Sequence, residues 1–143
     1  MVTRLLKMGQ WLRAHHLTFV ARITDYLLVR GFYGCDVQSS TKMGEVIFDH
    51  NGLGVVVHPK TVIGNNVKIM QGVTLGGSNG STLPVIDDDV FIGAGAKIIG
   101  AIHIGKGARI GANAVVLNDV PEGCTAVGVP ARIIYPKEKE ETK

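Results

Sequence analysis

Cysteine is scarce in this chain. Cys35 and Cys124 are the two among 143 residues, too few and too far apart for a disulfide framework or a metal knuckle, so buried thiols in a reducing compartment are expected. The sequence also lacks any run of the roughly 18 apolar residues that a membrane-spanning helix needs. No charged-then-apolar segment with a small-residue cleavage site is present, and a cytoplasmic location is the expectation. A large excess of one charge sign is missing too: the net charge is +3 and the isoelectric point near 9.0. So mild an excess fits solvated Lys and Arg, points to no nucleic-acid partner, and leaves room for a small anionic ligand.

What is present is one globular unit with a core: 45% of residues are hydrophobic and 19% charged, as in a single soluble domain. Its dominant feature is a period of six. Val37 and Met43, then Val57, Ile63, Ile69 and Leu75, then Ile86, Ile92, Ile98, Ile104, Ile110 and Val116 hold aliphatic side chains at that spacing. Four residues after most of them comes a smaller residue: Thr61, Val67, Val73, Val90, Ala96, Ile102, Ala108, Ala114 and Val120. A six-residue period fits neither a 3.6-residue helix nor a flat sheet; it fits a solenoid in which each hexad is a short strand plus a bend, one large and one small side chain pointing inward. Many of the 19 glycines directly follow the large residue (Gly44, Gly64, Gly76, Gly93, Gly105, Gly111). They are expected at bends whose backbone angles other residues tolerate poorly.

The register breaks twice. Between Met43 and Val57 extra residues fall around Asp49-His50-Asn51-Gly52-Leu53-Gly54, and between Leu75 and Ile86 lies the turn-rich stretch from Gly76 to Pro84. Both breaks push chain out of a regular stack, and loops held on a rigid scaffold are where chemistry usually sits. Residues 1–33 differ in texture. Leu5, Leu12, Phe19, Ile23 and Leu27, flanked by Leu6, Val20 and Leu28, recur at helical spacing on one helix, or on two broken near Gly9 or His15-His16. Arg4, Lys7, Arg13, Arg22 and Arg30 lie among them. Such a face can cover the first coil of a solenoid, the favoured expectation, or rest on an anionic membrane surface. The expected division is thus a helical segment 1–33, a solenoid domain 34–135 and a charged, frayed tail 136–143.

Several motifs stand in a recognisable order: Gly34-Cys35-Asp36-Val37, Phe48-Asp49-His50, Gln71-Gly72-Val73-Thr74-Leu75-Gly76-Gly77, Ile92-Gly93-Ala94-Gly95-Ala96-Lys97-Ile98 and Val127-Gly128-Val129-Pro130-Ala131-Arg132. From about Gly9 to Ile134 the chain resembles the serine acetyltransferase branch of the hexapeptide-repeat acyltransferases. The resemblance implies an all-β solenoid, a left-handed parallel β-helix of triangular section behind a short helical segment. It also implies a homotrimer that binds acetyl-coenzyme A in clefts between adjacent helices and passes the acetyl group directly to an acceptor hydroxyl. Because a hydroxyl is a poor nucleophile at neutral pH, a base must take its proton, and imidazole suits that task. His50 matches the family's base, Asp36 the acid that fixes its tautomer, and Asp49 an acceptor-binding acid. His58 stands at a corner where the family usually has Gly, placing it as a candidate lining residue for the acceptor. On the coenzyme side the resemblance points to Gly76, Gly77, Ala94 and Gly95 for close backbone approach, and to Lys97, Arg109 and Arg132 for phosphates. His15, His16 and His103 read as solvated. A γ-type carbonic anhydrase shares the hexapeptide helix, but the spacing of His50 and His58 is not that class's, and no metal is expected.

The chain departs from the pattern on the acceptor side. Serine acetyltransferases carry a long helical N-terminal domain, nearly absent here, and an Arg-His pair before the proline of the second loop that binds the serine carboxylate. Here Thr82 and Leu83 precede Pro84. Losing a charge-assisted contact of that kind costs roughly 1.5–3 kcal/mol. The wording His50-Asn51-Gly52-Leu53-Gly54 looks like that of short O-acetyltransferases decorating surface polysaccharides. A sugar hydroxyl is therefore the expected acceptor, with peripheral association at the inner membrane face. Serine O-acetylation in cysteine biosynthesis is the alternative, and a non-catalytic trimeric scaffold a further one.

Overall fold

The computed structural model describes residues 1–77 and 83–136. Ser78, Asn79, Ser81 and Thr82 of the second loop, and the charged tail 137–143, lie outside the described residues. Two helices open the chain, α1 (Val2–Ala14) and α2 (Thr18–Thr24), the second passing directly into a π-helix, Asp25–Phe32. The break falls at His15-His16, where His16 takes φ 62°, and not at Gly9. That glycine lies buried inside α1, where an added Cβ would sit 2.5 Å from Ser39 Cβ.

Among the described residues fourteen short strands follow: β1 (Lys42–Met43), β2 (Val46–Phe48), β3 (Val56–Val57), β4 (Val62–Ile63), β5 (Val67–Ile69), β6 (Thr74–Gly76), β7 (Val85–Ile86), β8 (Phe91–Ile92), β9 (Lys97–Ile99), β10 (His103–Ile104), β11 (Arg109–Ile110), β12 (Val115–Val116), β13 (Thr125–Val127) and β14 (Arg132–Ile134). They form three sheets: β1-β4-β7-β10, β2-β5-β8-β11-β13-β14 and β3-β6-β9-β12. These are the first, second and third faces of a solenoid, all parallel except that β14 returns antiparallel to β13. Register follows the hexads: Ile104 pairs with Ile86, Ile92 with Ile110, and Val116 with Ile98. Inward side chains therefore stack on their equivalents one coil away. Both sequence columns are buried, from Val37 to Val116 and from Thr61 to Val120, Met43 alone being half-buried. Each large aliphatic so buried contributes about 1.5–3 kcal/mol.

The glycines after the large column do something other than expected. None of Gly44, Gly64, Gly93, Gly105 and Gly111 has positive φ. They are needed because coils touch at the corners: a Cβ on Gly93 would lie 2.7 Å from the Ala112 nitrogen, and one on Gly105 2.6 Å from that of Glu122. The requirement is space between stacked backbones and not an unusual backbone angle.

The helical segment divides in the same way. α1 seals the open end of the first coil, and Val2, Leu6 and Val29 join the solenoid core. On α2 and the π-helix, however, Phe19 (74%), Tyr26 (67%), Leu27 (58%) and Phe32 (77%) are exposed, so the single apolar face expected for residues 1–33 covers the coil only through its first half. No helix among the described residues is long and apolar enough to cross a membrane.

Candidate active site

The first register break is a tight loop at the corner between the second and third faces. β2 ends at Phe48, and Asp49–Gly52 form one turn of 3₁₀-like chain before β3. His50 (φ 50°) and Asn51 (φ 54°) both take left-handed backbone angles, followed by Gly52 and Gly54 at φ 68° and 67°. Asn and His visit that region more readily than most residues, at a cost of about 1–3 kcal/mol each. The outcome is an exposed imidazole on a loop that the flanking strands fix. Beneath it the corner is a ladder of backbone: Gly72 N donates to Leu53 O, Gly95 N to Gln71 O and Asn113 N to Ala94 O, at 2.8–2.9 Å.

The segment carrying Asp36 runs alongside this loop. Gly54 N donates to Gly34 O (2.9 Å), Asp36 N to Val55 O (2.8 Å) and Val57 N to Asp36 O (2.9 Å). Cys35 is packed under Gly52, where a Cβ would meet its sulfur at 2.9 Å. Burial, followed by the charge of Asp36, pushes the Cys35 thiol up from 9.0 to about 12. That thiol stays neutral at physiological pH and is no nucleophile. The Asp36 carboxylate lies 3.6 Å from Arg30 Nη2, and Asp49 pairs with Lys68 Nζ at 2.9 Å. Among the described residues the His50 ring makes no hydrogen bond, so within one chain the loop presents an imidazole with both ring nitrogens available.

The other candidates are spread over two faces and the corners. His58, exposed at the end of β3, accepts a hydrogen bond from Lys60 N (3.2 Å) at Nδ1. Gly76 closes β6 and Gly77 begins the second loop, on the far side of the third face from His50. Ala94 and Gly95 share the His50 corner. Gly95 takes φ 72°, a left-handed angle that favours glycine, and a Cβ there would also meet Asn113 Oδ1, so its backbone accounts for it without any ligand. Lys97 stands on the third face and reaches back to Gly72 O (2.6 Å). Arg109 stands on the second face, stacked 4.8 Å above the Phe91 ring, and Arg132 begins the returning strand β14 on that face. The structure thus puts His50 and Asp49 on one loop with the Asp36 segment hydrogen-bonded alongside it, and sets Ala94-Gly95 and Lys97 two coils further along the same edge and face. Arg109 and Arg132 sit around an edge, and His58 and Gly77 at the next corner. Among the described residues no group of three potential metal ligands exists.

Comparison with known proteins matches this architecture. Residues 84–118 match the family Bacterial transferase hexapeptide (six repeats). The chain is 44% identical over 125 residues to the serine acetyltransferase of Bacillus licheniformis, covering 85% of this chain and 57% of that one. It is 42% identical over 131 residues to the serine acetyltransferase of Helicobacter pylori, covering 90% and 76%. The chain belongs to the serine acetyltransferase branch of the hexapeptide-repeat acyltransferases. A solved serine acetyltransferase in complex with CoA superposes with TM-score 0.81 at 42% identity, over 93% of this chain and 55% of that one. The fold is accordingly a left-handed parallel β-helix of about four turns, and the chain spans little more than half the length of most of the relatives it matches.

One group of side chains beside Asp36 carries no functional signal in the sequence. Arg22, Tyr26 and Arg30 face Asp36 and Gln38 across a cleft of about 300 Å³. In sequence, the two arginines were indistinguishable from other basic residues of an amphipathic helix. Only the fold, which swings the π-helix over the first coil, brings them to Asp36.

Proposed function

We propose that the protein is an acetyl-coenzyme A-dependent O-acetyltransferase whose acceptor is the hydroxyl of L-serine. The observation that carries this reading is the loop at His50: an exposed imidazole, held by three successive left-handed positions, His50, Asn51 and Gly52, with Gly54 a fourth, beside Asp36 and Asp49, in a chain over 40% identical to serine acetyltransferases across nearly its whole length. Bound acetyl-coenzyme A supplies the acetyl group as a thioester. His50 accepts the proton of the attacking hydroxyl, Asp36 stabilises the imidazolium that results, and Asp49 orients the acceptor. The neighbour in complex with CoA supports the coenzyme. The chain's own residues fit it, since Lys97, Arg109 and Arg132 offer cations for its phosphates. These residues lie on different faces of one helix, which supports a homotrimer in which each cleft takes one face from each of two copies.

The polysaccharide acceptor expected from the wording at His50 to Gly54 gives way here. The relatives matched over 85–90% of this chain are serine acetyltransferases, and the peripheral membrane placement that accompanied the glycan reading loses its ground with it. Thr82 and Leu83 remain a departure from the serine pattern. The test is thiol release from acetyl-coenzyme A with L-serine, nucleotide sugars, galactosides and mannosides in parallel. Serine-dependent release is expected. Release with sugars alone would restore the glycan reading, and no release with any acceptor would leave a scaffold.

A further inference from the structure

If the acceptor is serine, its carboxylate needs a cation, and the second loop offers none at Leu83, which lines a pocket with Lys60, Val85 and His103 on the first-face side. The cations nearest Asp36 are elsewhere, in the cleft between the N-terminal helices and the first coil. It is lined by Arg13, Arg22, Tyr26, Arg30, Asp36 and Gln38 and holds about 300 Å³, enough for an amino acid. Its arginines are not equivalent. Arg13 is committed, with Nη2 2.9 Å from Asp25 Oδ2 and Nε 2.8 Å from Ser39 Oγ. Arg30 touches Asp36 through one contact of 3.6 Å, longer than a hydrogen bond, so its planar fork is open to a bidentate partner. Arg22 has no ion pair among the described residues.

The cleft is also tied to the His50 loop by backbone. Gly34 N donates to Arg30 O at 3.2 Å, and Gly34 O accepts from Gly54 N at 2.9 Å, so the end of the π-helix and the loop are fastened to the same residue. L-serine separates its carboxylate from its hydroxyl by only two carbons, a span suited to a cation and a base held on adjoining segments. We propose that Arg30, backed by Arg22, binds the carboxylate of the acceptor, a task relocated from the second loop to the π-helix. The inference rests on the serine reading above and names the group that recognises that substrate. Arg22 and Arg30 are then specificity-determining: they select an α-carboxylate and hold the hydroxyl in position for His50.

The test compares L-serine with L-serinamide, whose neutral amide replaces the carboxylate, in kcat/KM measurements on wild type, Arg30→Gln, Arg30→Lys, Arg22→Gln and, as a distant control, Lys106→Gln. Calorimetric binding of L-serine is measured alongside. Wild type is expected to prefer serine. In Arg30→Gln that preference should fall about 10- to 100-fold, the loss of one charge-assisted contact. Arg22→Gln should lose less, Arg30→Lys should recover part, and Lys106→Gln should keep the wild-type ratio. Should Arg30→Gln fail to fold, Arg30→Lys and Arg22→Gln carry the comparison. An unchanged ratio in folded arginine variants that still acetylate serine, or equal use of both compounds by wild type, would overturn the inference while leaving the activity in place. Arg30-dependent binding of serine without acetylation would uphold the site and sink the proposed function. Neither binding nor acetylation of serine by wild type would overturn both.

Discussion

From Val85 to Val116 the solenoid is regular: strands of two or three residues, inward Ile or Val at each hexad, and corners where glycine lets one backbone lie on the next. The first coil, from Gly34 to Val57, shares the parallel pairing but little else. Its strands are separated by uneven steps, two adjacent non-glycine residues, His50 and Asn51, take left-handed angles where the regular coils have only isolated ones at Asp89 and Asn113, and its open end is covered by α1. A buried charged group lies under that cover: Asp25, 8% exposed, accepts from Arg13 Nη2, Ser39 N and Ser39 Oγ. The regular coils are a stack in which any one coil resembles its neighbours. The irregular coil is where stacking has been interrupted to position polar groups. Stability is concentrated in one region and chemistry in the other.

The largest expected effect is in the regular region. Ile104 is fully buried, 18 residues from its stacking partner Ile86, and Ile104→Asp should abolish folding, because an unpaired charge in that ladder has no partner; a soluble, normally melting variant would break the contrast. The milder Ile104→Ala should cost about 2–5 kcal/mol, measurable by urea titration. In the irregular coil His50→Ala should lower kcat by roughly 10²–10⁴ while leaving the melting temperature and a mass near three times 15.2 kDa unchanged. A large loss of stability there would mean that the loop is structural.

Asp25→Ala removes the acceptor shared by Arg13 and Ser39, and should cost about 1–3 kcal/mol. Hydrogen exchange locates that loss: amides of α1 and α2 should exchange faster while those of β8 to β12 stay protected, if the two regions open separately. Uniform acceleration would show one cooperative unit. The smallest effect is alkaline. The Cys35 thiol ionises near 9.0 in the unfolded chain and near about 12 in the folded one. The unfolded state therefore releases its proton first, and stability falls as pH rises from 9 toward 12. Cys35→Ala should flatten that decline in melting curves taken between about pH 8.5 and 10.5.

The regular region was legible in the sequence almost residue for residue, because a strict period leaves one register in which every Ile of the six-residue column faces inward. His50, Asp49 and Asp36 were legible for the complementary reason: they interrupt the period. Phe48 was missed as a core residue. It pairs with Ile69 and is 6% exposed, yet it falls five residues after Met43, off the hexad grid. The apolar residues of α2 were assigned to cover from spacing alone, which fixes a common helix face but not what that face meets. Arg22 and Arg30 could not be told apart from solvated charges, since their meaning depends on the angle at which the π-helix crosses the first coil. Thr82, one of the two residues that depart from the serine pattern, lies outside the described residues.

The last strand has a consequence for how such molecules crowd together. A parallel coil stack is a template at either end, and another chain's coil added in register would lengthen it, as monomers lengthen a polymer. At one end α1 lies across the template. At the other, β14 turns back antiparallel to β13 through the pairs Thr125–Ile134, Ala126–Ile133 and Val127–Arg132. A strand of reversed direction presents the wrong polarity to an incoming parallel coil, so on the second face it acts as a chain terminator. The protein carries the growth unit of a fibre with one end plugged and one face of the other end closed by a reversal of direction.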